Sequence, residues 1–178
     1  MFHYVSLRSL TFAVSVFLLA ACLAAPLQAT ESIHGAFGVS FGQTFDMTHA
    51  LSTDTFTGHT VYEFTPRNEL PMFDRYYLSI TPESKKIYGI CGVSTATTVD
   101  QAKSNHRTIL RHLQNRYGPV ESGLLSGLMN VFGLKRIEQG EHKIVISFRE
   151  DSRKTYVIYY HDRLKKLAKV EEKAQAGR

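Results

Sequence analysis

The segment Ile87-Tyr88-Gly89-Ile90-Cys91-Gly92-Val93 is the tightest constraint on how this chain can fold. Side chains alternate between the two faces of a strand. Ile87, Gly89, Cys91 and Val93 then take one face, and Tyr88 and Ile90 the other. Both faces are apolar, which is the pattern of a central strand covered on both sides. Such a strand needs a sheet around it and packed material above and below. The preceding residues supply a neighbour: Tyr76, Leu78 and Ile80 alternate against Tyr77, Ser79 and Thr81. Pro82-Glu83-Ser84-Lys85 has the composition of the connecting turn.

The rest of the chain supplies covers and further strands. Over residues 98–117, Val99, Ala102, His106, Ile109, Leu110, Leu113 and Tyr117 recur on one helical face. Thr98 and Gln101 have capping-box spacing, Gly118 suits the residue after the helix and Pro119 prevents continuation. Three strands are expected next, over 131–138, 142–149 and 155–161, with turns at Gln139-Gly140 and at 150–153. Asp162 is placed to cap a last helix carrying Leu164, Leu167 and Val170, and the polar tail 171–178 is expected to fray. Nearer the N-terminus, Phe37, Val39 and Phe41 alternate as in a short strand. Residues 46–51 suit one or two helical turns capped by Thr44 or Asp46. The Thr-rich stretch 52–60 reads as a loop, and 60–65 as a strand ended by Pro66. Strands grouped around helices give an α+β fold: a mainly antiparallel sheet made of a hairpin and a three-strand meander, a long helix packed on one face, and a short C-terminal helix. One globular domain over 30–170 is expected.

Residues 1–29 have the composition of an export signal. Arg8 is the lone charge, Leu10 to Ala21 is an apolar run, and small residues follow. The run is shorter than the roughly 20 apolar residues that span a bilayer. Two processing points compete. Pro26-Leu27-Gln28-Ala29 suits cleavage after Ala29. Leu19-Ala20-Ala21-Cys22 resembles a lipobox, in which residues 1–21 are removed and Cys22 is acylated, attaching the protein to a membrane. The expected location is the periplasm or the extracellular space, free or lipid-anchored.

The chain has 178 residues, 21 Lys+Arg and 16 Asp+Glu, a net charge of +5. Loss of Arg8 leaves 20 basic against 16 acidic residues, or +4. This charge tolerates an anionic surface without requiring one, and with no recognition motif it makes nucleic acid a poor partner. About 150 residues are enough to bury a core without disulfides or metals. The two cysteines are Cys22 and Cys91. With Cys22 cleaved away or acylated, no internal disulfide forms, and Cys91 is a buried inert thiol, a partner in an intermolecular disulfide or a reactive thiol.

Catalytic and metal signatures are sparse. The eight histidines include no His-x-x-x-His pair and none at a recognised spacing from Cys or carboxylate, so no metal or other cofactor is implied. The run Gly35, Gly38, Gly42 has the wrong spacing for a dinucleotide fingerprint. Cys91 with His106 is the one pair worth naming as nucleophile and base, and a packed histidine beside an inert thiol accounts for both residues equally well.

Binding candidates are clearer. Lys103, Arg107 and Arg111 recur at i, i+4 on the long helix, and the loop at Leu124, Leu125, Leu128 and Met129 carries exposed-looking apolar residues. Together they suit an envelope protein or an anionic surface component. Tyr76-Tyr77 and Tyr159-Tyr160 place rings on both faces of strands, either for core packing or to line a ligand cavity.

The opening Phe37-Gly38-Val39-Ser40-Phe41-Gly42-Gln43-Thr44, with the helix ending Arg116-Tyr117-Gly118, resembles small bacterial envelope domains. The resemblance implies a periplasmic α+β domain and carries no catalytic residues. The functional expectation is an exported, non-enzymatic binding or accessory module for a protein or surface partner. A small-ligand binder with an aromatic-lined pocket is the first alternative, and a Cys/His-dependent enzyme the second.

Overall fold

Seven antiparallel strands, in the order β3-β4-β5-β6-β9-β8-β7, form the main sheet in a computed structural model that describes residues 30–56, 59–120 and 134–177. The strands are β3 (Ser52–Phe56), β4 (His59–Glu63), β5 (Arg75–Ile80), β6 (Ile87–Thr95), β7 (Leu134–Gln139), β8 (His142–Arg149) and β9 (Lys154–His161). Helix α1 (Val99–Tyr117) connects β6 to β7, and α2 (Asp162–Ala176) follows β9 directly. Two short strands, β1 (Gly35–Ala36) and β2 (Val39–Ser40), form a separate hairpin. The architecture is α+β with a C-terminal helix. The expected export signal, Cys22 included, and the apolar loop at Leu124, Leu125, Leu128 and Met129 lie outside the described residues.

Strand β6 is central, as its two apolar faces require. It pairs with β5 on one side and β9 on the other. One face carries Tyr76, Leu78, Ile90, Val157, Tyr159, Ile144, Ile146 and Ile137, and α1 lays Ile109, Leu113 and Tyr117 onto it to make the main core. Thr98 accepts from the Gln101 amide at the start of α1, and Gly118, with φ 97°, ends it. The other face carries Tyr77, Ser79, Cys91, Tyr156, Ile158 and Tyr160. Helix α2 crosses part of it, with the Lys165 ammonium 4.2 Å from the Tyr160 ring centre.

Several elements depart from what the sequence pattern alone suggests. A bulge pairs Ser79 with Gly89 but Ile80 with Ile87. The extra residue, Tyr88, is left between them, so Ile87 joins the core beside Ile80 instead of following Cys91. Phe37 lies in a turn, not in a strand: Phe37 and Gly38 have φ of 56° and 79° and link β1 to β2. A type I′ hairpin turn has positive φ at both positions, and the turn drives the Phe37 ring into the core, 4.9 Å from Tyr76 and 5.3 Å from Phe73. The Thr-rich stretch is a strand, β3, paired with β4 from Ser52↔Glu63 to Phe56↔His59.

The tail does not fray at residue 171. Helix α2 runs on to Ala176 because Glu171 is buried and its carboxylate accepts from the Glu83 amide (2.7 Å), the Ser84 amide (3.2 Å) and the Ser84 hydroxyl (2.7 Å). That carboxylate docks the helix onto the β5–β6 turn. Ala168 and Glu171 are the residues α2 buries, while Leu167 and Val170 face outward. His161 occupies the N-cap of α2 without a side-chain hydrogen bond, and Asp162 is the first helical residue. The short turn expected near residue 46 is a 3₁₀ turn, Met47–His49, capped by Asp46.

Candidate functional site

The face of the sheet away from α1 holds a cleft, and its cause is the way β4 joins β5. Only Tyr62↔Leu78 and Glu63↔Tyr77 pair across that junction. The β3–β4 hairpin is attached at its base and its outer end bends over the sheet. Phe56, near that end, reaches Tyr156 on β9, three strands beyond β4, with ring centres 5.2 Å apart. A cleft of about 210 Å³ is left underneath. Tyr77, Ser79, Cys91, Val93, Tyr156, Ile158 and Tyr160 form its floor, Phe56 and Val61 its overhang, and Asp54, Arg75 and Lys154 its charged rim.

The interior groups are neutral at ordinary pH. Burial pushes the Cys91 thiol up to about 12 and the Tyr160 phenol up to about 12. Burial also raises the Tyr156 phenol. The floor therefore offers hydroxyls, a thiol and ring faces but no charge. On the rim, the Tyr77 side chain is hydrogen-bonded to Arg75 and holds its guanidinium above the usual range. Lys154 makes no ion pair among the described residues. Gly89 belongs to the same face: a Cβ there would lie 3.0 Å from the Ser79 Cβ and 3.5 Å from the Tyr160 ring.

The structure does not bring Cys91 and His106 together. Cys91 lies on the cleft face, whereas His106 is on α1, across the sheet, its ring tilted at 30° to Phe148 with ring centres 5.1 Å apart. Burial, with a contribution from Lys135, lowers the His106 pKa. With its thiol held un-ionised by burial and His106 across the sheet, Cys91 does not have His106 as a base. Among the described residues, no three His, Cys, Asp or Glu side chains form a group that would hold a metal ion.

The basic stripe of α1 is partly neutralised. Lys103 pairs with Glu150 at 2.9 Å, and Arg116 forms a two-point ion pair with Glu31. Arg107 and Arg111 are exposed and make no ion pair among the described residues.

Of the cleft residues, Tyr77 and Tyr160 are recognisable in the sequence as outward rings on strands. Asp54, Phe56 and Val61 are not, because the overhang depends on β3 being a strand. Alternation within Ser52–Phe56 is hidden by its threonines, although threonine is itself a good strand former. A second concavity of about 300 Å³ lies beside the β1–β2 hairpin between Asn68, Arg116 and Tyr117. It opens more widely to solvent, and its cation is already held by Glu31. Comparison of the chain with family models, curated proteins and solved structures gives no match.

Proposed function

We propose that this protein is a non-enzymatic binding module of the bacterial envelope, and that the cleft under the β3–β4 hairpin is where it binds a small ligand. The observation that carries the reading is the cleft's lining: an uncharged floor bearing three tyrosines, closed over by Phe56 and Val61, with charge confined to the rim. Concave, largely apolar surfaces with a few convergent polar groups are what small-ligand sites share. The neutral thiol and the separation of Cys91 from His106 weigh against catalysis.

A ligand that binds the folded state must stabilise it by mass action. The test is a thermal-unfolding screen of small aromatic and aliphatic compounds against the protein and its Tyr156→Ala variant. Stabilisation of the parent by a compound class that leaves the variant's midpoint unmoved supports the cleft. A screen with no stabilising compound, or stabilisation undiminished in the variant, counts against it.

A second reading rests on a separate observation, Arg107 and Arg111 on the outer face of α1, which make no ion pair among the described residues. These cations suit an acidic envelope partner or an anionic surface component. Reversing the charge of Lys103, Arg107 and Arg111 together should abolish capture on an anionic matrix of envelope material, and unchanged capture would remove the helix from the reading. Export itself is testable by native mass spectrometry of the protein recovered from an envelope fraction. A mass beginning at Thr30 marks a free exported protein, and an acylated mass beginning at Cys22 a lipoprotein.

A further inference from the structure

We infer that the cleft selects a small amphipathic monoanion: an aromatic or short aliphatic body carrying one carboxylate, with the body under Phe56 and the charge at Lys154 and Arg75. This inference rests on the cleft being the binding site and adds the chemical class of its ligand.

Burying an ion among uncharged groups is costly unless it finds a partner. The floor offers the hydroxyls of Tyr77, Tyr156, Tyr160 and Ser79 and the Cys91 thiol, with no acidic or basic side chain among them, beside Val93 and Ile158. A charged part of the ligand therefore stays at the rim. Arg75 pairs across the sheet with Val93, and Lys154 with Thr95, two residues further along the same strand, β6. Both cations thus stand at one end of the cleft, joined at the rim by one carboxylate, Asp54. Glu63 and Asp74 also act on Arg75 from outside the cleft, but of the residues that line it two are cations and one is a carboxylate, which favours a single negative charge and disfavours a cation. The chain's net charge of +5 favours the approach of anions in the same sense.

The body is limited by volume and shape. A cleft of about 210 Å³ holds the equivalent of about seven waters at roughly 30 Å³ each, which suits a ligand of one ring or a short chain. The tilted Phe56–Tyr156 ring pair, at an interplanar angle of 37°, gives it an aromatic wall.

Three probes share one ring and differ in charge: benzoate, benzyl alcohol and benzyltrimethylammonium. Each is titrated by calorimetry into the protein recovered from an envelope fraction, at low ionic strength, where rim charges are least screened. Benzoate should bind about two- to fivefold tighter than benzyl alcohol, and benzyltrimethylammonium weakest, the range expected for a charge partner at a partly exposed site. Lys154→Gln should erase the preference for benzoate over benzyl alcohol. Asp54→Asn should strengthen benzoate binding about two- to fivefold. Opposite changes from two rim variants cannot come from loss of folding. Equal affinity for benzoate and benzyl alcohol, or tighter binding of the cation, overturns the charge assignment and leaves the cleft reading standing. Binding of none of the three, by a protein with a normal unfolding transition, overturns both.

Discussion

The Phe37 ring lies directly over Gly92: a Cβ built on Gly92 would come within 2.9 Å of the ring, and within 3.0 Å of Phe73. The β1–β2 turn inserts its aromatic residue into a space that exists because the central strand lacks a side chain there. Gly92→Ala should therefore destabilise the fold by about 1–3 kcal/mol, the usual range for overpacking. Urea unfolding measures it, and Phe37→Leu in the Gly92→Ala background should recover part of the loss. An unchanged midpoint for Gly92→Ala would show that the turn does not press on β6.

Glu171 ties α2 to the β5–β6 turn through three accepted hydrogen bonds. Burial raises its carboxyl pKa, but the bonds from Ser84 and the Glu83 amide outweigh burial and hold it below the usual range. Glu171→Gln keeps the shape and loses the charge, at an expected cost of about 1–3 kcal/mol. Because the folded pKa is depressed, this contribution is present above the unfolded carboxylate pKa and is lost as pH falls through the folded value. The difference in stability between parent and Glu171→Gln should thus shrink between neutral pH and pH 3, measured by chemical denaturation.

His142 gives the fold a second acid sensitivity. His142 stands between His34, with ring centres 5.9 Å apart, and His161, 4.8 Å apart, and Phe41 stacks on it at 5.5 Å. Burial and then the neighbouring imidazoles lower the His142 pKa, partly offset by Glu141. A histidine with a depressed folded pKa takes up its proton more readily when unfolded. Its stabilising share is complete above the unfolded value near 6.5 and is lost as pH falls towards the folded value. His106 acts in the same direction. The melting temperature should fall between pH 7 and pH 5, and His142→Gln should flatten that fall. An equally steep fall in the variant would assign the effect elsewhere.

With its thiol pushed up to about 12, Cys91 has few thiolates at pH 8. Alkylation by iodoacetamide should be more than about a hundredfold slower in the native protein than in the denatured one, since the thiolate is the reacting form. Mass spectrometry over time reads this directly. Comparable rates would mean an ionised thiol in the cleft and would revive a catalytic reading.

The ion pair Lys103–Glu150 is short but exposed, with side-chain exposures of 47% and 57%. Pairs of this kind contribute little. Lys103→Ala should change stability by less than about 1 kcal/mol in urea unfolding, and a larger loss would mean that Lys103 does more than neutralise Glu150.

Elements whose residues declare their own periodicity are legible in the sequence: the β5–β6 hairpin, α1 with its Thr98 cap and Gly118 stop, and the alternation of β8 and β9. Features decided by a partner distant in the chain are not. The Phe37 turn makes sense only beside Gly92, which is 55 positions away and gives no sign of being vacant space. Helix α2 continues past residue 171 because Glu83 and Ser84 receive Glu171, although its tail has the composition of a frayed end. For the cleft, Tyr77 and Tyr160 are readable as outward rings, but the overhang requires knowing that β4 leaves β5 after two residue pairs. Local pattern carries no information about how far two strands stay together.

The two sides of the cleft are held very differently. Strand β9 pairs with β6 from Gly89↔Tyr160 to Thr95↔Lys154 and runs into α2 with no intervening loop. Tyr156, Ile158, Tyr160 and the Lys165 that covers Tyr160 therefore behave as one fixed jaw. The facing jaw, β3–β4, is joined to β5 by two residue pairs and the Phe64 amide's bond to the Tyr76 carbonyl, and its outer end meets β9 and α2 through Phe56–Tyr156 and His59–Glu172. Elements held by few contacts open at lower free-energy cost than those in the core. Adjustment to ligands of different thickness then falls to Phe56 and Val61, while the tyrosine bed keeps its spacing, so the site has a ruler on one side and a spring on the other.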